Sequence, residues 1–254
     1  MRLSLSEIKL IVRAVDKIFG DKSKLYLFGS RADEQKKGGD IDLYLIPEIK
    51  EDVYNNKIKL INAITENLGD QKIDLIIQKD KTRPIEIEAQ AKGIELDITK
   101  ISLEKFFHEC DKHVQRIQEA YSDLESIIPI DAEKYATLAK QEVQALDQYL
   151  FRFSKLQDTM GDKIFKLIVA QYQQSTEQLA FIDMLNKLEK LEYINSTKEW
   201  MYLRKIRNEI AYQYDDEAEE MSQAINNILH QKSIIISIYQ KTKDKYQKSS
   251  WLTP

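Results

Sequence analysis

The chain has 254 residues, room for one large domain or two ordinary ones with real apolar cores. Charged residues make up 31% and balance to a net charge of −4, so no strong overall field draws the protein to nucleic acid or to an anionic membrane, although local basic patches are not excluded. A single cysteine, Cys110, rules out an intrachain disulfide and fits a reducing cytoplasm; no apolar run has membrane-spanning length or the form of a signal-peptide core.

The first helix is expected from about Ser4 to Phe19, because Ser4 and Glu7 have capping-box spacing. There follow a strand over 24–28, a short helix over 30–36, a strand over 40–46, a helix over 51–67, a strand over 72–78, a helix over 84–91 and a strand over 93–97. That order predicts a small mixed sheet with helices packed on it. Glycine and alternating patterns are concentrated before residue 98, and from Ile101 the sequence is helical in character. The fold class is therefore α+β, with an N-terminal domain over 1–98 and an all-α bundle over 101–247.

In the second part Leu103, Phe107, Cys110, Val114, Ile117, Tyr121 and Leu124 recur at spacings of four and three, the seam of a bundled helix. Cys110 is thereby assigned to the core. His108, Cys110 and His113 do not make a metal site, since the two histidines lie well off each other's helix face. Further helices are expected at about 131–159, 162–174, 176–190, 197–212 and 216–246, with breaks at Pro129 and Gly161 and a frayed end from Lys248.

The chemistry-bearing segment is Leu25-Tyr-Leu-Phe-Gly-Ser-Arg31 followed by Gly38-Gly-Asp-Ile-Asp-Leu-Tyr-Leu45. Leu25–Phe28 is an apolar run that stops at glycine, and backbone N–H groups at such a strand-to-helix turn attract phosphate. Asp40 and Asp42 are two apart on a strand, so both carboxylates project from one face. Such a pair is unfavourable without a cation; Mg²⁺ suits it, because it takes oxygen ligands from one or two carboxylates and from substrate phosphates.

Glycine-serine followed by acid-apolar-acid resembles the DNA polymerase β-like nucleotidyltransferases, in particular the minimal nucleotidyltransferases. The resemblance covers roughly residues 1–98 and expects a third acid on a neighbouring strand, where Lys72-Ile-Asp-Leu-Ile-Ile-Gln78 supplies Asp74. It implies that Gly29 and Ser30 hold the β- and γ-phosphates of ATP or another nucleoside triphosphate, with Arg31 as a further phosphate contact. It implies two Mg²⁺ ions on Asp40, Asp42 and Asp74, with Asp74 also drawing the proton from an acceptor hydroxyl.

The helical part carries a less specific resemblance. Arg152–Phe165 and Arg204-Lys-Ile-Arg-Asn-Glu-Ile-Ala-Tyr-Gln-Tyr214 look like HEPN domains, which accompany minimal nucleotidyltransferases in toxin–antitoxin pairs. Arg207, Asn208 and Tyr214 match that family's segment, but Tyr212 stands where histidine is expected. Histidine titrates near neutral pH and can exchange a proton with a ribose hydroxyl, which a tyrosine with a pKa near 10 does poorly. Ribonuclease activity is therefore not expected, while Tyr214 is where AMP would be attached by resemblance to those pairs.

Three functions follow from these readings. The first is transfer of a nucleotide to a protein or polynucleotide. The second is modification of a small hydroxylated molecule, as in aminoglycoside nucleotidyltransferases, for which the bundle acids Glu142 and Asp147 are too ordinary to mark a pocket. The third is a non-catalytic antitoxin or RNA-binding module. A homodimer through the helical part is implied by the HEPN resemblance alone.

Overall fold

A computed structural model of the chain describes residues 1–33, 35–69, 71–80, 82–172, 179–212 and 218–250; the side chains of 211, 212 and 250 are outside that description. The chain divides into two compact units, Met1–Ser102 and Leu103–Pro254.

The first unit opens with α1 (Leu5–Phe19), whose Ser4 and Glu7 form the capping box expected of them. Strand β1 (Lys24–Phe28) ends in a single 3₁₀ turn, Gly29–Arg31, and β2 (Ile41–Ile46), α2 (Val53–Leu68), β3 (Ile73–Ile77), α3 (Pro84–Lys92) and β4 (Ile94–Glu95) follow. The four strands form one mixed sheet in the order β3-β2-β1-β4. β1 runs antiparallel to β2 and to β4, while β2 and β3 are parallel. Alternation along the strands sends Leu25, Leu27, Ile41, Leu43, Leu45, Leu75 and Ile77 into one core with Ile8, Ile11, Val15 and Phe19 of α1 and Leu60 and Ile64 of α2. The opposite face carries Tyr26, Phe28, Tyr44, Ile46 and Ile76, with Ala89 of α3 packed on them.

Two expectations in this unit need correction. The helix over 30–36 is reduced to the Gly29–Arg31 turn, because the Asp33 carboxylate accepts the N–H of Gln35 and so offers the backbone a local alternative to a helix. The last strand has two residues rather than five, because Asp97 accepts the N–H groups of Lys100 and Ile101 through its side chain and carbonyl and starts the next helix there.

That helix, α4 (Ile98–Leu124), is followed by α5 (Ala132–Ala136), α6 (Lys140–Thr159), α7 (Phe165–Ala170), α8 (Phe181–Lys190), α9 (Thr197–Tyr212), α10 (Ala218–His230) and α11 (Lys232–Ser250). The division between the units falls inside α4. Along its seam Leu103, Phe107, Cys110, Ile117 and Leu124 are buried, with Val114 and Tyr121 half-buried against the same core. Tyr239 of α11 donates to the Phe107 carbonyl at 2.8 Å and to Asp111 at 2.6 Å, and Lys243 reaches both Asp111 oxygens. Burial opposes the charged Asp111 carboxylate, but the hydrogen bonds from Lys243 and Tyr239 outweigh it and its pKa is lowered.

The bundle departs from the expected helices at several points. Residues 131–159 form two helices, because Glu142 reaches back to the N–H of Ala139 and begins α6 there. Gly161 breaks nothing: α6 passes through a π-helical turn, Met160–Ile164, into α7. Its neighbours Met160, Ile164 and Phe165 are fully buried, so packing overrides the low helix propensity of glycine. The helix expected from 176 begins at Phe181, the last long helix is divided at Gln231, and α11 runs to Ser250 rather than fraying at Lys248.

Burial raises the pKa of the Cys110 thiol far above the range in which it ionises, followed by the charges of Glu109 and Asp111. Native protein should therefore leave Cys110 unmodified by a thiol-specific chromogenic disulfide and react fully in denaturant. Fast labelling of the native chain would contradict the packing of α4.

Candidate active site

Strand pairing brings the acids together. Asp42 stands opposite Phe28 on one side and in register with Asp74 on the other, so the two carboxylates project side by side from the same sheet face. Asp40 lies two residues before Asp42, at the entry to β2. Its Oδ2 accepts from Lys72 Nζ at 2.7 Å. Lys72 sits two residues before Asp74, and its hydrogen bond to Asp40 raises its own pKa.

The turn after β1 closes over this group. Gly29 has φ +68, and a Cβ built on it would lie 2.1 Å from Asp42 Oδ2, so only glycine lets the backbone approach the carboxylate this closely. Gly38 is pressed in the same way on Ser30, where a Cβ would meet the hydroxyl at 2.2 Å. Arg31 gives its Nε and Nη2 to the Gly39 carbonyl at 3.1 and 2.6 Å, and Nη2 also reaches Gln71 at 2.8 Å. Those donors pin the glycine loop rather than reaching outward. Arg2 holds the turn from its other side: its backbone N–H donates to the Arg31 carbonyl and its Nη2 to the Ser30 carbonyl at 3.0 Å, while its Nε is buried with no partner among the described residues.

Burial, then the charges of Asp74 and Asp40, push the Asp42 carboxyl above its ordinary value; Lys72 and a hydrogen bond from the Ser30 N–H offset part of this. A concentration of like charge that disfavours ionisation suits a divalent cation, which would remove the repulsion. Asp42 and Asp74 offer adjacent oxygen donors for it. Among the described residues no three acidic, histidine or cysteine side chains are gathered closely enough to hold an ion, and the Asp40 carboxylate is paired with Lys72. An all-protein cage is thus absent among the described residues, and an ion held by Asp42 and Asp74 would need further oxygen ligands from outside the protein.

The model of one family, Polymerase beta, Nucleotidyltransferase, matches residues 14–101. A polymerase β-type nucleotidyltransferase domain is present. No curated protein and no solved structure matches the chain. The polymerase β-type match takes in the Gly29–Ser30 turn and all three aspartates, stops near the end of the first unit, and supports transferase chemistry in general terms.

Outside that match, Arg207 of α9 donates to Gln157 at 3.1 Å and to Asp158 at 2.9 Å. Asn208 is exposed on the same helix. Tyr214 lies outside the described residues, as does the side chain of Tyr212. His113 is buried at the seam of α4, where burial and then Arg152 lower its pKa, while His108 is exposed. Among the described residues no helix is long and apolar enough to cross a membrane.

Arg2, Gly38, Gln71 and Lys72 were missed by the sequence argument. Lys72 had a legible signal in the two-residue period it shares with Asp74; Arg2 had none, since the contact spans the length of α1 and β1.

Two consequences can be measured. Gly29→Ala forces a strained φ and a clash with Asp42, and should cost about 1–3 kcal/mol in a urea melt. Asp42→Asn should stabilise the protein at neutral pH. With the folded pKa raised, the stability linked to the protonated group is complete below the ordinary aspartate value of 3.8 and is lost as pH rises through the folded pKa. The advantage of the Asp42→Asn variant in melting temperature should therefore vanish at about pH 4 and below.

Proposed function

We propose that the protein moves a nucleoside monophosphate, AMP by default, from a nucleoside triphosphate to a hydroxyl acceptor. The observation that carries this reading is the register of Asp42 with Asp74, beside a glycine turn that touches the Asp42 carboxylate. In this reading the backbone of Gly29 and Ser30 receives the β- and γ-phosphates, and Arg31 and Arg2 keep that turn in place. Asp40, Asp42 and Asp74 would hold two Mg²⁺ ions, which supply charge neutralisation at the phosphates and at the pyrophosphate leaving group. Asp74 takes the proton of the acceptor hydroxyl while that hydroxyl's oxygen bonds to the α-phosphorus; the bond from that phosphorus to the oxygen bridging it to the β-phosphorus breaks and pyrophosphate leaves.

The HEPN-like segment favours a protein acceptor over an aminoglycoside-like small molecule, with Tyr214 as the candidate residue in a toxin–antitoxin setting. Arg207, bonded to Gln157 and Asp158, acts in this reading as a structural anchor without ribonuclease chemistry.

Incubation with Mg²⁺ and each α-labelled triphosphate, followed by intact mass, tests the proposal. A gain of nucleotidyl units or pyrophosphate release is expected, lost in Asp42→Asn and on chelation of the metal. If mass is gained, Tyr214→Phe should abolish it; unchanged labelling there would move the acceptor elsewhere. Absence of both turnover and metal-dependent triphosphate binding would leave a non-catalytic module.

A further inference from the structure

Beside Asp74 a groove of about 770 Å³ runs between α2 and the outer edge of β3, lined by Val53, Tyr54, Lys57, Ile58 and Ile61 on the helix and by Asp74–Ile77, Lys79 and Arg83. β3 is the last strand of the sheet, so its far side has no strand partner among the described residues. The Lys72 carbonyl accepts from Ile41, and the Gln78 N–H donates to Leu45. By the two-residue alternation of a strand, Asp74 and Ile76 also turn their backbone groups toward β2, whereas Leu75 and Ile77 turn theirs outward. The groove thus offers an alternating set of donors and acceptors, which is what an added strand pairs with.

Its walls narrow the choice of partner. Tyr54 is 76% exposed and Ile58 44%, an apolar stripe left uncovered next to that edge. Lys57 and Lys79 have no ion-pair partner among the described residues, and Arg83 is held at the rim by Glu86. A polynucleotide would answer the cations, but its phosphates only accept hydrogen bonds and would face the outward carbonyls of Leu75 and Ile77. An extended polypeptide with acidic side chains answers the strand edge, the apolar stripe and the cations together.

We propose that this groove docks an extended, acidic peptide as a fifth strand on the free edge of β3 and presents a hydroxyl side chain of that peptide to Asp74. The docking stands on the groove itself; the delivery of the hydroxyl rests on the transferase reading of Asp74.

The test uses the full chain without nucleotide and a fluorescein-labelled peptide of alternating glutamate and valine around a central tyrosine. A lysine-for-glutamate counterpart and an oligothymidylate of matched charge serve as competitors. Salt-sensitive binding of the acidic peptide is expected, weakened about tenfold or more by Lys57→Glu with Lys79→Glu. Hydrogen exchange should show the Leu75 and Ile77 amides of the unaltered protein becoming protected when the peptide binds. Absence of binding, indifference to the charge reversal, or preferential binding of the oligothymidylate with those amides left unprotected would each overturn the proposal. Metal-dependent ATP binding, measured on the same protein, separates the two readings: its absence with peptide docking intact defeats the transferase alone, and the reverse defeats the docking alone.

Discussion

Strand β2 must be apolar on both faces over most of its length and still deliver a carboxylate at its start. Leu43, Tyr44 and Leu45 are all fully buried, between α1 and α2 on one side and α3 on the other. That burial locks the register, because a slip of one residue would turn every side chain to the wrong face. The same lock sets Asp42 beside Asp74 and against Gly29. The acids are therefore placed by the hydrophobic core beneath them rather than by contacts among themselves, which are repulsive.

The site is supported where it costs most. Like charge at Asp42 and Asp74 and the left-handed backbone of Gly29 both work against stability, as is common where a fold holds a reactive arrangement. Opposing them are hydrogen bonds made by residues outside the acid cluster: Arg2 on the turn, Arg31 on the glycine loop and Lys72 on Asp40. A second polar network braces the same sheet face further along β2, where buried Glu86 accepts from the backbone of Lys79, from Arg83 and from the Tyr44 hydroxyl. Burial opposes its charge, but those donors prevail and its pKa is lowered. That brace fixes the start of α3 and the chain that follows the edge strand.

The helical unit relies on a large apolar core crossed by a few satisfied polar links, such as Tyr239 to Asp111 and Arg207 to Asp158. Near Arg207 the satisfaction is incomplete. Gln157 Nε2 and Trp200 Nε1 are buried with no hydrogen-bond partner among the described residues, and both residues line a space of about 30 Å³. The π-helical turn at Met160–Ile164 borders the same space through Gly161.

The nature of the first unit was legible because its signals are local and short. Ser4 and Glu7 announce a helix start, Leu25–Phe28 is a short apolar run that stops at glycine as a buried strand does, the segment from Asp40 opens acid, apolar, acid, apolar, and the acid pair falls on one face by period alone. The seam from Leu103 to Leu124 was readable for the same reason, since a helix repeats its buried face every three or four residues. Local propensity failed in two places: Gly161 is carried through a helix by its buried neighbours, and the helix expected after Ser30 gives way where the Asp33 carboxylate takes the Gln35 N–H. The amino-acid sequence by itself determined which residues carry charge, which faces are apolar and where backbone freedom exists, because these depend on neighbours along the chain. Only the tertiary structure decided that Asp42 pairs in register with Asp74, that Lys72 answers Asp40, that Arg2 braces the turn and that β3 is left as an open edge. Those are contacts between segments far apart in sequence, chosen by how the strands order themselves in the sheet.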